Sequence, residues 1–134
     1  MTRSYTLKNR EKKLLILKSR QKDFIRLNAR EVPDVKTVSS PHILITYAAT
    51  RFDGADFHVG FTATKKSISK LAVVRNKIKR RLRAATNELI GAREELAAID
   101  MLIIARKGAA DIPAGELRDE LSKLLGRIPI NKVV

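Results

Sequence analysis

The chain has 134 residues, with 28 Lys+Arg against 14 Asp+Glu and a formal net charge of +14. Its 44% apolar content suffices for one domain with a core, and the absence of cysteine excludes a disulfide scaffold, a thiol nucleophile and a Cys-held zinc site. No apolar run is long enough to span a bilayer, no secretory leader follows the basic first residues, and so much positive charge calls for a polyanionic partner, with nucleic acid ahead of an acidic membrane surface.

Residues 1–12 show no period and are expected to be a flexible basic arm. Leu14, Leu17, Gln21, Phe24 and Ile25 recur at helical spacing with Lys18, Arg20, Lys22 and Arg26 between them, which predicts a helix over 13–29 closed by Pro33. Residues 35–39 alternate weakly and predict a short strand. Residues 42–50, rich in β-branched and aromatic side chains, predict a stronger one. Asp53-Gly54 marks a turn over 51–56, so 57–64 reads as the return strand of an antiparallel hairpin, with Phe57, Val59, Phe61 and Ala63 on one face.

The clearest periodicity lies in 69–90. Leu71, Val74, Ile78, Leu82, Ala85 and Leu89 form an apolar stripe, Asn76, Lys79, Arg80 and Arg83 lie opposite, and Arg75 and Arg81 flank the stripe. Gly91 can end this helix. The apolar run 101–105 has the length of a central strand, and Leu117, Leu121, Leu124 and Leu125 make 114–126 a last amphipathic helix. Residues 127–134 are expected to be a loose tail, which leaves 13–126 as the folded domain. The predicted class is α+β: a four-stranded sheet in a single layer packed by helices, in the order α-β-β-β-α-β-α.

Charge is concentrated rather than spread. Residues 1–30 carry a net +8 and residues 65–83 a net +9, the latter from nine Lys/Arg and no acid, while 31–64 and 84–134 are close to neutral. Like charges so close repel, and without a counter-anion nothing offsets that repulsion. A solvated basic face is the plain alternative, but such faces usually mix both signs. Arginine forks fit phosphate oxygens in pairs, and an amide such as Asn76 can reach a ribose hydroxyl.

Two adjoining motifs carry a resemblance. Val-Gly-Phe-Thr-Ala-Thr-Lys-Lys at 59–66 and Ala-Val-Val-Arg-Asn-Lys-Ile-Lys-Arg-Arg-Leu-Arg at 72–83 closely resemble the strand and the Arg-Asn-Arg helix of the protein subunit of bacterial ribonuclease P. Leu17, Lys18, Asp23 and Phe24 resemble that family's first helix, 100–108 its fourth strand, and Glu116-Leu117 its last helix. The resemblance covers about residues 7–126. It implies a left-handed crossover from the third strand to the fourth, and RNA contacts from Arg75, Asn76, Lys77, Lys79, Arg80 and Arg83, with Lys65, Lys66 and Lys18 in support. It also implies a cleft for the 5′ leader of precursor tRNA, lined by Phe24, Tyr47 and Phe61, where bases stack with little sequence preference. For Phe24 and Phe61, simple core packing is the competing reading. Tyr47 is expected to be partly exposed because of its hydroxyl. Three positions depart from the family pattern: Asn28 replaces an aromatic, Ser67–Leu71 lengthens the lead-in to the basic helix by about two residues, and Lys77 replaces the second arginine.

No catalytic or metal-binding residue is assigned to the chain. His42 and His58 are its two histidines, both in strand sequences without an ordered carboxylate cluster. The resemblance implies that a catalytic RNA subunit holds the active site and the Mg²⁺, and that this chain is its cytoplasmic accessory, a monomer when free. A ribosomal or other structural RNA-binding protein is the nearest alternative. A stand-alone protein nuclease would need clustered carboxylates or a histidine pair, and a membrane-surface binder would want aromatics on its apolar face.

Overall fold

The computed structural model describes residues 14–16, 35–49, 57–90 and 99–130. In chain order these form strands β1 (Leu14–Ile16), β2 (Lys36–Ser39), β3 (Ile43–Ala49) and β4 (Phe57–Thr62), helix α1 (Ala72–Ile90), strand β5 (Ile99–Ala105), a 3-10 turn (Ala109–Asp111) and helix α2 (Ala114–Leu125). The strands build one mixed sheet in the order β1-β4-β5-β3-β2.

β5 sits at the centre, parallel to β4 and antiparallel to β3. Its sequence Ile-Asp-Met-Leu-Ile-Ile-Ala is almost wholly buried, and only a strand with neighbours on both edges and cover on both faces suits such a run. The expected hairpin of β3 with β4 is therefore split: β5 lies between them, and each pairs with β5 rather than with the other. Parallel β4 and β5 cannot be joined by a tight turn, and α1 is the crossover that joins them.

One sheet face carries Ile43, Ile45 and Tyr47 of β3, Phe57, Val59 and Phe61 of β4, and Met101 and Ile103 of β5. Ile78, Leu82, Ala85 and Ile90 of α1 and all four expected leucines of α2 close over that face to complete the core. The opposite face bears Thr46, Ala48, His58, Asp100 and Leu102, all buried.

Several expectations need correction. Residues 14–16, inside the expected first helix, are a strand parallel to β4, so the four-stranded sheet gains a short edge. Four successive apolar residues from Leu14 to Leu17 suit a strand as well as a helix, and period alone does not separate the two. Residues 13 and 17–29, the rest of that helix, lie outside the described residues, as do the arm, Pro33, the turn 51–56, Gly91 and 131–134. Leu71 is not part of the buried stripe; it is 62% exposed and precedes the helix. The buried stripe runs instead through Ile78, Leu82, Ala85, Thr86 and Ile90. Nor is the stretch after α2 loose throughout: Ile128 and Ile130 are buried in the core, because two isoleucines spaced by two can both face the sheet-helix layer.

Candidate nucleic-acid interface

α1 divides its two sides sharply. Its apolar side is fixed against the sheet, so rotation about the helix axis is fixed as well. That aims Asn76, Lys77, Arg80 and Arg83 into solvent, all of them exposed. Lys79 is half-buried at the edge of this arc. Among the described residues, none of the nine Lys/Arg between 65 and 83 lies within ion-pair distance of a carboxylate. The first acid on the helix, Glu88, binds Arg118 of α2 at 2.6 Å.

Arg75, which the resemblance assigns to RNA together with the exposed arc, is half-buried, and its guanidinium donates to the Ser69 carbonyl at 2.9 Å. It braces the lead-in to the helix and leaves only part of its fork for a partner. Arg83 is positioned differently: its guanidinium lies 6.0 Å from the centroid of the Phe61 ring, a cation–π contact that holds the charge over the end of β4.

Lys65 and Lys66 follow β4 in an exposed turn. The turn is closed by the Ser67 N–H donating to Thr64 Oγ1 at 3.1 Å and the Ile68 N–H donating to the Thr64 carbonyl at 2.9 Å. The longer lead-in is thus ordered, with Ile68 packed on the core. Because α1 begins just beyond this turn, Lys65, Lys66 and the first turns of the helix share one end of the sheet.

The aromatic cleft is not assembled by the described residues. Tyr47 is 9% and Phe61 7% exposed, both on the helix-covered face. Strand alternation explains this, since Tyr47 shares its face with Ile43 and Ile45, the most apolar residues of β3. Neither ring offers an open surface for a base. Lys18, Phe24 and Asn28 lie outside the described residues.

Sequence reasoning left both histidines without partners, and the fold supplies them. His58 Nδ1 lies 3.2 Å from Asp100 Oδ1 across the β4–β5 register, both buried. His42 Nδ1 lies 2.5 Å from Glu120 Oε2 of α2, while the Ser40 hydroxyl and the His42 N–H both donate to Glu120 Oε1. Burial pushes the Glu120 carboxyl upward, but these hydrogen bonds outweigh it and hold the group below its usual range. Arg106 completes this knot, its N–H donating to the His42 carbonyl at 2.9 Å and its guanidinium to the Ser40 carbonyl at 3.0 Å. The two histidine clusters lie on different elements. Among the described residues, no group of three or more His, Asp or Glu could hold a metal ion.

Comparison with known proteins agrees with this geometry. The Ribonuclease P family model matches residues 17–129. A ribonuclease P protein component of Stutzerimonas stutzeri is 42% identical over 73 residues, which cover 54% of this chain and 53% of that protein. One from Pseudomonas aeruginosa is 34% identical over 96 residues, covering 71% and 66%. The chain spans about half the length of the first curated relatives it matches. The RNase P protein of Staphylococcus aureus shares the fold at a TM-score of 0.68 and 23% identity, over 87% of this chain and 97% of that one. That of Thermotoga maritima does so at 0.64 and 20%, over 81% and 93%. The split sheet, the crossover helix whose cations have no carboxylate partner among the described residues and a family match across most of the sequence agree: the chain belongs to the ribonuclease P protein family.

Proposed function

We propose that this chain is the protein component of ribonuclease P, binding a catalytic RNA and the 5′ leader of precursor tRNA to support Mg²⁺-dependent endonucleolytic removal of the leader. The observation that carries the proposal is the cationic arc of α1, which has no carboxylate partner among the described residues and follows the family's strand motif. Two polyanions, a catalytic RNA and its substrate, repel each other, and a cationic protein seated between them lowers that repulsion. Asn76, Lys77, Lys79, Arg80 and Arg83 neutralise phosphates, with part of Arg75 and with Lys65 and Lys66 at the end of the sheet. Each phosphate contact releases condensed counterions, so affinity falls steeply with salt.

The described residues do not fit a Mg²⁺ site of their own. Their carboxylates are dispersed or engaged by His42, His58 and Arg118, and the exposed arc would repel a cation. The proposal assigns the metal and the cleavage chemistry to the RNA, as the family resemblance implies. The protein acts in the cytoplasm, as a monomer until it meets that RNA.

Reconstitution tests this reading. Precursor tRNA, catalytic RNA and Mg²⁺ should be processed faster at physiological salt when the protein is present, and protein alone should cut nothing. RNA-free cleavage at the mature 5′ end would replace the proposal with a protein nuclease. RNA binding without any effect on processing would replace it with a structural RNA-binding role.

A further inference from the structure

Two large apolar side chains stand out on the surface of the described residues: Leu71, 62% exposed, and Val73, 68% exposed. They sit where α1 begins, inside the basic block rather than beside the core. Val73, Lys77 and Arg80 are spaced by four and three residues and so line up along one ridge of the helix. Val73 is thus the apolar end of the cationic arc. Lys70, just before the pair, is exposed as well.

Leu71 is anomalous in a second way. Its carbonyl accepts from the N–H groups of Val74 at 3.1 Å and Arg75 at 3.3 Å, which makes it the capping residue of α1. Ser, Thr, Asp and Asn are favoured there because their side-chain oxygen satisfies a first-turn N–H. Leucine can do neither that nor, at this exposure, contribute to the core. Two unfavourable choices lie close in sequence, and no contact among the described residues compensates either.

The geometry points to an apolar wedge for RNA: Leu71 and Val73 cover the face of an unstacked nucleobase while Lys70, Lys77 and Arg80 hold the phosphates around it. The inference rests on the RNA-binding reading above and deepens it. Charge complementarity selects this occupant. Exposed cations at Lys70, Lys77 and Arg80, with no carboxylate partner among the described residues, beside exposed apolar side chains suit a ligand that is anionic along its backbone and apolar on its base faces. A base within a duplex hides those faces, so the wedge requires a bulge or a loop.

The test compares two RNA probes of equal length, a perfectly paired duplex and a hairpin with a bulged base, by fluorescence anisotropy across a salt series. Leu71→Asn combined with Val73→Ala should weaken binding of the bulged hairpin by about five- to tenfold and leave the duplex unchanged. The salt slope should stay the same, because no phosphate contact is lost. Thermal stability should hold or rise, since asparagine caps a helix better than leucine. Val73→Ala alone, which keeps the helix and its cap, should show a smaller loss of the same kind. Equal weakening on both probes, a reduced slope or no weakening overturns the wedge and leaves the RNA reading standing. A wild-type protein that binds neither probe overturns both. A wild-type dimer that the double variant dissolves, with RNA binding intact, assigns the patch to a second copy of the chain and overturns the wedge.

Discussion

The arc of α1 and the knot around Glu120 are both built from charged and polar side chains, and they are opposites. In the knot, one carboxylate receives hydrogen bonds from Ser40 and His42, and Arg106 is spent on two backbone carbonyls' worth of turn. On the arc, the cations of Lys77, Arg80 and Arg83 reach solvent with no carboxylate partner among the described residues. Charge that is paired inside a protein serves the fold, whereas charge left unpaired at such density serves something that is not yet there. The two regions should therefore respond to mutation in opposite currencies, stability for one and RNA affinity for the other.

The sharpest check uses Tyr47, which the family resemblance placed with the RNA-facing residues and the fold places in the core. Tyr47→Ala should destabilise the protein by about 3 kcal/mol or more, as other buried aromatics do, measured by urea unfolding. Its effect on precursor and mature tRNA should then be equal once only folded protein is counted. A selective loss for the precursor in a stable variant would return Tyr47 to the leader cleft. Leu82→Ala, on the fully buried side of α1, should cost about 2–5 kcal/mol with no change of salt slope for the protein that remains folded.

The knot gives a smaller, pH-dependent effect. Glu120 is held below its usual value, so its hydrogen bonds stabilise the fold above the unfolded-state value near 4.5 and that contribution fades as pH falls through the lower folded value. Glu120→Gln should remove part of the acid sensitivity of unfolding as pH falls below the usual value near 4.5 and leave the RNA salt slope intact. An unchanged acid limb in the variant would mean that the knot does not report on folding.

The smallest effect on stability belongs to the arc. Arg80→Ala should shift unfolding by no more than about 0.5 kcal/mol while the salt dependence of RNA binding falls by about one unit. A loss of stability in Arg80→Ala without a change of slope would erase the distinction between the two regions.

Local pattern made much of this legible. The apolar run at 101–105 announced a central strand because few other elements bury both of their faces, and period placed helices at 69–90 and 114–126 where the fold has them at 72–90 and 114–125. Side-chain alternation would put Tyr47 on one face with Ile43 and Ile45, a signal passed over when its exposure was read from its hydroxyl alone. What remained hidden was long-range. Nothing near β3 or β4 shows that a strand made later will separate them, and nothing near His42 points to a carboxylate 78 residues on. The inward turn of Arg75 depends on where a longer lead-in places the Ser69 carbonyl, which spacing along the helix cannot reveal.

Strand order has a consequence for how the chain comes to be folded. β1 can meet β4, and β2 can meet β3, but among the described strands only β5 joins the two pairs, and it emerges from the ribosome last of them. Synthesis at ~5–20 residues per second puts roughly 2–8 seconds between the appearance of β4 and that of β5. Through that interval the cationic helix already exists as sequence while the surface that will orient it does not. A basic segment made before the surface that orients it stays unanchored, and it acquires a directed face only when the central strand arrives.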